Sequence, residues 1–208
     1  MPTPSDPLSL ADWRRRVAEM YAAARRSPDP QAAWQAFREE RDRLFAGHPQ
    51  SPLDERQQAG FTGLHYYPYD PAWRILGRVE GEVDRQTFAI ELPAEGAFRY
   101  TRVARVRFEM GDEEHALSLF WAEGYGGGLF LPFQDRTSGA GTYGGGRYLY
   151  DGIKGADLNP EAGNFLLDFN FAYNPSCAYD DRWVCPLSPP ENRLTCAVEA
   201  GERDYVRA

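Results

Sequence analysis

Along this chain the hydrophobic positions change period once, and the change divides it. Leu10, Trp13, Val17, Met20 and Ala24 recur at intervals of three and four, which aligns them on one face of a helix. Arg14, Arg15, Arg25 and Arg26 fall mostly off that stripe. The spacing predicts a helix from Ser9, with Ser9 and Asp12 standing three apart like a capping box that has Asp in place of Glu. Ser27-Pro28 stops it, and Asp29-Pro30 offers the next helix an N-cap and a first-turn proline. Trp34, Phe37, Leu44 and Phe45 supply the second stripe before Gly47 and Pro49 end it. Two helices so closely linked predict an antiparallel hairpin. The charged run Arg38–Arg43 reads as the solvated face of the second helix.

Residues 51–73 are loop-like, with one helical turn over Leu53–Gln58. Thereafter the period is two. Trp73–Glu80, Gln86–Leu92 and Arg99–Met110 read as strands, joined by turns at Glu82–Asp84 and Ala94–Gly96. In the third, Tyr100, Ala104, Val106, Phe108 and Met110 share one face while Arg105, Arg107 and Glu109 share the other. Glu114–Glu123 is apolar on both faces and should be a central, covered strand. Further strands are expected at Leu129–Phe133, Arg147–Asp151, Asn164–Tyr173 and Arg193–Glu199. This pattern predicts an α+β fold with β dominant: a helical hairpin (residues 1–50) packed on a mostly antiparallel barrel or sandwich (residues 51–208), one structural unit overall.

Composition narrows the partners. With 208 residues, a chain buries roughly 70% of its unfolded surface and needs no metal or disulfide to hold a core. The net charge of −8 repels phosphate backbones, which argues against nucleic acid and anionic membranes as partners. No apolar run approaches the roughly 20 residues of a membrane span. The first residues lack the basic and apolar regions of a signal peptide, and three cysteines do not resemble an extracellular disulfide framework. A cytoplasmic protein is expected.

The residues that could carry chemistry crowd between Gly128 and Asn192. In the strand expected over Asn164–Tyr173, alternation places Phe165, Leu167, Phe169, Phe171 and Tyr173 on one face. Asp168 and Asn170, with Asn174 just beyond, fall on the other. Asp and Asn form strands poorly, so the row either meets solvent or lines a pocket. The glycine-rich stretch Asp135–Arg147 allows backbone N–H groups to converge, with Arg147 able to grip a carboxylate or phosphate. The same glycines suit a plain turn in which Asp135 bonds to Thr137 or Ser138. No Gly-Lys-Ser/Thr follows, and no helical pattern, which excludes a Walker loop and a dinucleotide fingerprint. Tyr143, Tyr173 and Tyr179 belong to an aromatic surplus suited to lining a pocket. Cys177 and Cys185 flank a short loop, and Cys196 sits in the last expected strand. His48, His65 and His115 are not at ligand spacing to them, so core or loop thiols are favoured over zinc and a Cys177–Cys185 bridge stays open. No metal or cofactor is predicted.

Several of these runs carry a family resemblance. Leu131-Pro-Phe-Gln-Asp-Arg-Thr-Ser-Gly, Thr142-Tyr-Gly-Gly-Gly-Arg-Tyr-Leu, Leu167-Asp-Phe-Asn-Phe-Ala-Tyr-Asn-Pro, Cys177-Ala-Tyr, Cys185-Pro-Leu, Glu191-Asn-Arg-Leu and Ala200-Gly-Glu resemble the bacterial and archaeal family catalogued as domain of unknown function 1684. Phe61-Thr-Gly-Leu-His-Tyr-Tyr-Pro and the Trp13 helix resemble it as well. The resemblance implies a family but no activity.

Three functional readings follow. The first is a pocket for a small anionic or polyhydroxylated molecule, built from Asp135, Tyr143, Arg147, Asp168, Asn170 and Asn174 with Tyr173, Cys177 and Tyr179 at its rim. The second is a structural or interaction protein in which these groups form a buried hydrogen-bond network. The third is a hydrolase using Cys177 or a carboxylate pair drawn from Asp135, Asp168 and Glu191. A homodimer is compatible with all three.

Overall fold

The computed structural model describes residues 6–92, 96–158, 160–161 and 164–207. Helix α1 (Pro7–Arg26) starts earlier than the pattern suggested, because Asp6 rather than Ser9 caps it, accepting from the Leu8 amide at 3.1 Å. Asp12 is turned to Arg16 and His48 instead of to the helix end, at 2.8 and 3.2 Å. Helix α2 (Pro30–Gly47) is capped as expected by Asp29, which takes the Gln31 and Ala32 amides. The short α3 (Glu55–Ala59) is closed by a full capping box between Asp54 and Gln57. The charged run of α2 is not uniformly solvated: Arg41 is buried.

The sheet follows as β1 (Arg74–Glu80), β2 (Thr87–Leu92), β3 (Gly96–Met110), β4 (Glu113–Ala122), β5 (Gly128–Phe133), β6 (Arg147–Asp151), β7 (Pro160–Glu161) and β8 (Asn164–Asp168). Their order is β6-β5-β4-β3-β1-β8-β7, with β2 also paired to β3, and every pairing is antiparallel. The long β3 alternates buried and half-buried residues across a bulge between Arg102 and Ala104, and β4 is covered on both faces through Leu117–Phe120. The sheet curls into a half-barrel. Its β6 edge reaches the segment beyond β8, where Tyr148 and Tyr173 exchange backbone hydrogen bonds of 2.9 and 3.1 Å. The Tyr150 hydroxyl completes the approach by donating to the Leu166 carbonyl at 2.6 Å.

Two expected strands differ. The one placed over Asn164–Tyr173 ends at Asp168, because the Asp168 carboxylate accepts the Asn170 amide at 3.1 Å and starts a 3₁₀ turn over Phe169–Phe171. The expected two-faced row of Asp168, Asn170 and Asn174 is therefore broken after its first member. Arg193–Glu199 forms no strand; it makes one parallel bridge, Gln134 to Arg193, and the Val198 amide goes to a side chain, Asp135. Of the turn expected at Ala94–Gly96, residues 94 and 95 lie outside the described residues.

The hairpin and the sheet share one core. Phe37 of α2 packs on Phe171 with ring centroids 5.0 Å apart, and the Trp34 indole donates to the Asn170 carbonyl at 2.9 Å. The helices thus press on the turn that breaks the last strand, and this junction positions the site.

Candidate functional site

The polar residues singled out by the pattern separate into four groups. In the first, Arg147 at the start of β6 and Asp135 just after β5 form a fully buried ion pair, Nη2 to Oδ2 at 3.0 Å. Nη1 and Nη2 also reach the carbonyls of Val198 (3.0 Å), Ala200 and Glu202 (3.3 Å), while Nε is buried with no partner among the described residues. Asp135 Oδ1 accepts the Thr137 amide (2.8 Å), the Thr137 hydroxyl (2.6 Å) and the Val198 amide (3.1 Å), so the expected Asx-type turn is present. Burial holds the Arg147 guanidinium below its usual value against the pull of Asp135. Gly146 serves the turn: at φ 92° a Cβ there would stand 2.5 Å from the Phe133 carbonyl. The pair clamps residues 198–202 to the sheet.

The second group ties the turn after β8 to β1 and the loop before it. Asn170 exchanges hydrogen bonds with the Asp70 backbone (3.0 and 2.9 Å) and donates to Asp168 (2.9 Å). Asp168 lies 3.6 Å from Arg74, and burial pushes its carboxyl up to about 6 against those bonds. Asp135, Asp168 and Glu191 pair with three different arginines, Arg147, Arg74 and Arg102, so no two of them share a site.

The third group was only partly foreseen. Glu202, 1% exposed, accepts from Arg41 Nη2 (2.9 Å), from the Asn174 amide (3.1 Å) and from the Tyr179 hydroxyl. Burial pulls Arg41 down, but the Glu202 carboxylate together with Tyr66, Tyr179 and Tyr21 outweighs it, so the guanidinium stays well above its ordinary value. Beside this pair lies a hollow of about 50 Å³ between the hairpin and the Tyr173–Tyr179 segment, enough for roughly three or four waters or one small polar group. Tyr21, Arg41, Tyr173, Asn174 and Tyr179 line it, with Lys154, half-exposed and paired to Asp151 at 3.1 Å, among the lining residues. Four of its lining residues carry a buried polar atom with no hydrogen-bond partner among the described residues: Tyr21 Oη, Arg41 Nε, Tyr173 Oη and Asn174 Oδ1. Burial raises all three phenols, so they remain protonated donors.

Arg41, Tyr21 and Glu202 escaped the sequence reading, yet one signal was there. Arg41 stands four after Phe37 and three before Leu44, squarely on the apolar stripe of α2. Tyr21 similarly adjoins Met20 on the stripe of α1.

The fourth group is sulfur. Cys177, Cys185 and Cys196 are all free and half-buried. The Cys177 amide donates to Cys185 Sγ at 3.3 Å, and the Tyr143 hydroxyl to Cys177 Sγ at 3.5 Å. A larger cleft of about 330 Å³ is lined by Arg56, Phe61, His65 and Tyr205 and includes none of the expected site residues.

A curled antiparallel sheet capped by an N-terminal helical hairpin, with a buried Arg–Glu–Tyr cluster where they meet, defines a β-half-barrel domain. The chain belongs to the family described as protein of unknown function DUF1684, whose model matches residues 59–203. It is similar to an uncharacterised protein of Haloarcula marismortui known from a solution NMR structure: 38% identity over 81% of this chain and 91% of that one, TM-score 0.62. No curated protein matches it. Among the described residues, no helix is long and apolar enough to cross a membrane.

Proposed function

We propose that the chain binds a small polar molecule through the hollow between its helical hairpin and the Tyr173–Tyr179 segment. The observation that supports this is that four residues lining one small space each carry a buried polar atom unpaired among the described residues: Tyr21 Oη, Tyr173 Oη, Arg41 Nε and Asn174 Oδ1. Buried polar groups are satisfied in the great majority of cases, and leaving one unpaired costs about 1–3 kcal/mol. Three of the four are donors, and Lys154 adds a cation. An acceptor-rich group therefore fits: a carboxylate, a phosphate oxygen or a hydroxylated end, with any larger remainder extending outward past Lys154. Tyr173, Asn174 and Tyr179 of the expected site residues take part. Asp135, Arg147, Asp168 and Asn170 act as the frame, since their hydrogen bonds go to the chain itself; Arg147 Nε is unpaired among the described residues, but Arg147 does not line the hollow.

A thermal-shift panel of glycolate, inorganic phosphate and glycerol, run on wild type and on Tyr173→Phe and Lys154→Ala, tests the reading. One class should stabilise wild type in a dose-dependent way, with the effect reduced in both variants. A panel that moves wild type and both variants equally would falsify it.

A further inference from the structure

Cys177 is the middle residue of the 3₁₀ turn Ser176–Ala178, and Cys185 follows in the irregular segment beyond it. Their sulfurs are neighbours, because Cys185 Sγ accepts the Cys177 backbone amide at 3.3 Å. Tyr143, from the loop before β6, donates to that same sulfur at 3.5 Å. Lys154 supplies a positive field to both thiols, and Arg207 holds the Cys177 carbonyl at 2.8 Å while pairing with Asp181. Both cysteines are half-buried rather than sealed in the core. The two thiols are unlike. The neighbouring Cys185 side chain, against burial and with help from Tyr143 and Lys154, brings Cys177 down to about 6, whereas the same contact keeps the proton on Cys185 and pushes it up.

We infer that Cys177 and Cys185 form a reversible two-thiol site that reacts with hydroperoxides, Cys177 attacking and Cys185 resolving. The Cys177 thiolate attacks the outer oxygen of the hydroperoxide, the O–O bond breaks, and the departing alkoxide takes a proton to leave as an alcohol. Cys177 is then a sulfenic acid. The sulfur of Cys185 attacks it, and hydroxide departs as water with the Cys185 proton, leaving a disulfide. Two thiols and one hydroperoxide thus give one disulfide, one alcohol and one water, and an external dithiol restores the start. Bond formation requires the neighbouring sulfurs to close to about 2.05 Å, a local movement within the 176–185 loop. Cys196 lies apart, in the segment after Asn192, and burial raises its thiol, so it is an internal control. This inference does not depend on what occupies the hollow.

The test treats the full chain with hydrogen peroxide at neutral pH, then alkylates in denaturant and maps peptides by mass. Wild type should lose two thiols per chain, gain a Cys177–Cys185 linked peptide, keep Cys196 alkylatable, and revert with dithiothreitol. Cys185→Ser should stop at one oxygen on Cys177, trapped by dimedone. Tyr143→Phe should slow Cys177 oxidation several-fold and leave Cys196 unchanged. The inference is overturned if Cys177 reacts no faster than Cys196, if the disulfides join separate chains, or if Cys185→Ser accumulates no dimedone adduct while circular dichroism shows it folded.

Discussion

Replacing Arg41 by Met removes a guanidinium that is 8% exposed and leaves Glu202, 1% exposed, without its cation. The lost contacts are the 2.9 Å bond from Nη2 to Glu202 Oε2 and the 3.1 Å bond from Nη2 to the Tyr179 hydroxyl; the Asn174 amide and the Tyr179 hydroxyl still reach the carboxylate. Breaking a buried ion pair from one side costs about 3–5 kcal/mol, because the remaining charge stays desolvated. For a chain of this size that is on the order of 10 °C in melting temperature. The double variant Arg41→Met/Glu202→Gln should recover a substantial part. The glutamine can accept the Asn174 amide through its oxygen and donate to the Tyr179 hydroxyl through its nitrogen, so no charge is stranded. Urea unfolding followed by circular dichroism measures both at constant m-value. If Arg41→Met costs under about 1 kcal/mol, or the double variant is less stable than the single one by the full cost of Glu202→Gln alone, the pair is not the buried unit described.

Two further outcomes follow from the frame. Asp168 holds its proton up to about pH 6, above the usual range for an unfolded chain, so the folded state binds more protons between about pH 4 and 6 and loses stability as pH rises through that window. Asp168→Asn keeps the acceptor for the Asn170 amide and removes this loss, on the order of 1–3 kcal/mol; urea titrations at several pH values should show the wild-type-minus-variant difference changing with pH, and a constant difference would rule the shift out. Gly201→Ala forces a Cβ to 2.6 and 2.7 Å from the Phe169 and Ala172 carbonyls at φ 74°, whereas Gly111→Ala, also left-handed at φ 61°, meets nothing within 4 Å. Thermal melts should show a loss of roughly 3 kcal/mol or more for the first and about 1–2 kcal/mol for the second; equal losses would mean the close packing under residue 201 is absent.

The helices and the long strands were legible because their signals are local. The Asp29-Pro30 cap, the stripes of α1 and α2 and the alternation of β3 each lie within one element. The segment after Asp168 was not, because alternation of Phe and polar residues continues through Phe171 while a side-chain bond to the Asn170 amide turns the backbone away. Arg193–Glu199 looked strand-like for the same reason: its apolar residues fill the core, but Val198 and its neighbours are held by Asp135 and Arg147 from sixty and fifty residues away in order of magnitude, a pairing no local pattern reveals. The site divided similarly. Tyr173, Asn174 and Tyr179 stood out as a polar–aromatic cluster, whereas Arg41 was hidden in a run of charges whose other members are mostly exposed or half-exposed. Its position on the stripe, rather than its neighbours, carried the information.

The most direct measurement is an amide chemical-shift titration of the isotope-labelled chain with the best compound from the thermal-shift panel. Saturable shifts at Tyr21, Arg41 and the Tyr173–Tyr179 segment, weakened in Tyr173→Phe, are the predicted result. Shifts confined to the Phe61–His65 cleft, or unaltered by Tyr173→Phe, would contradict the account.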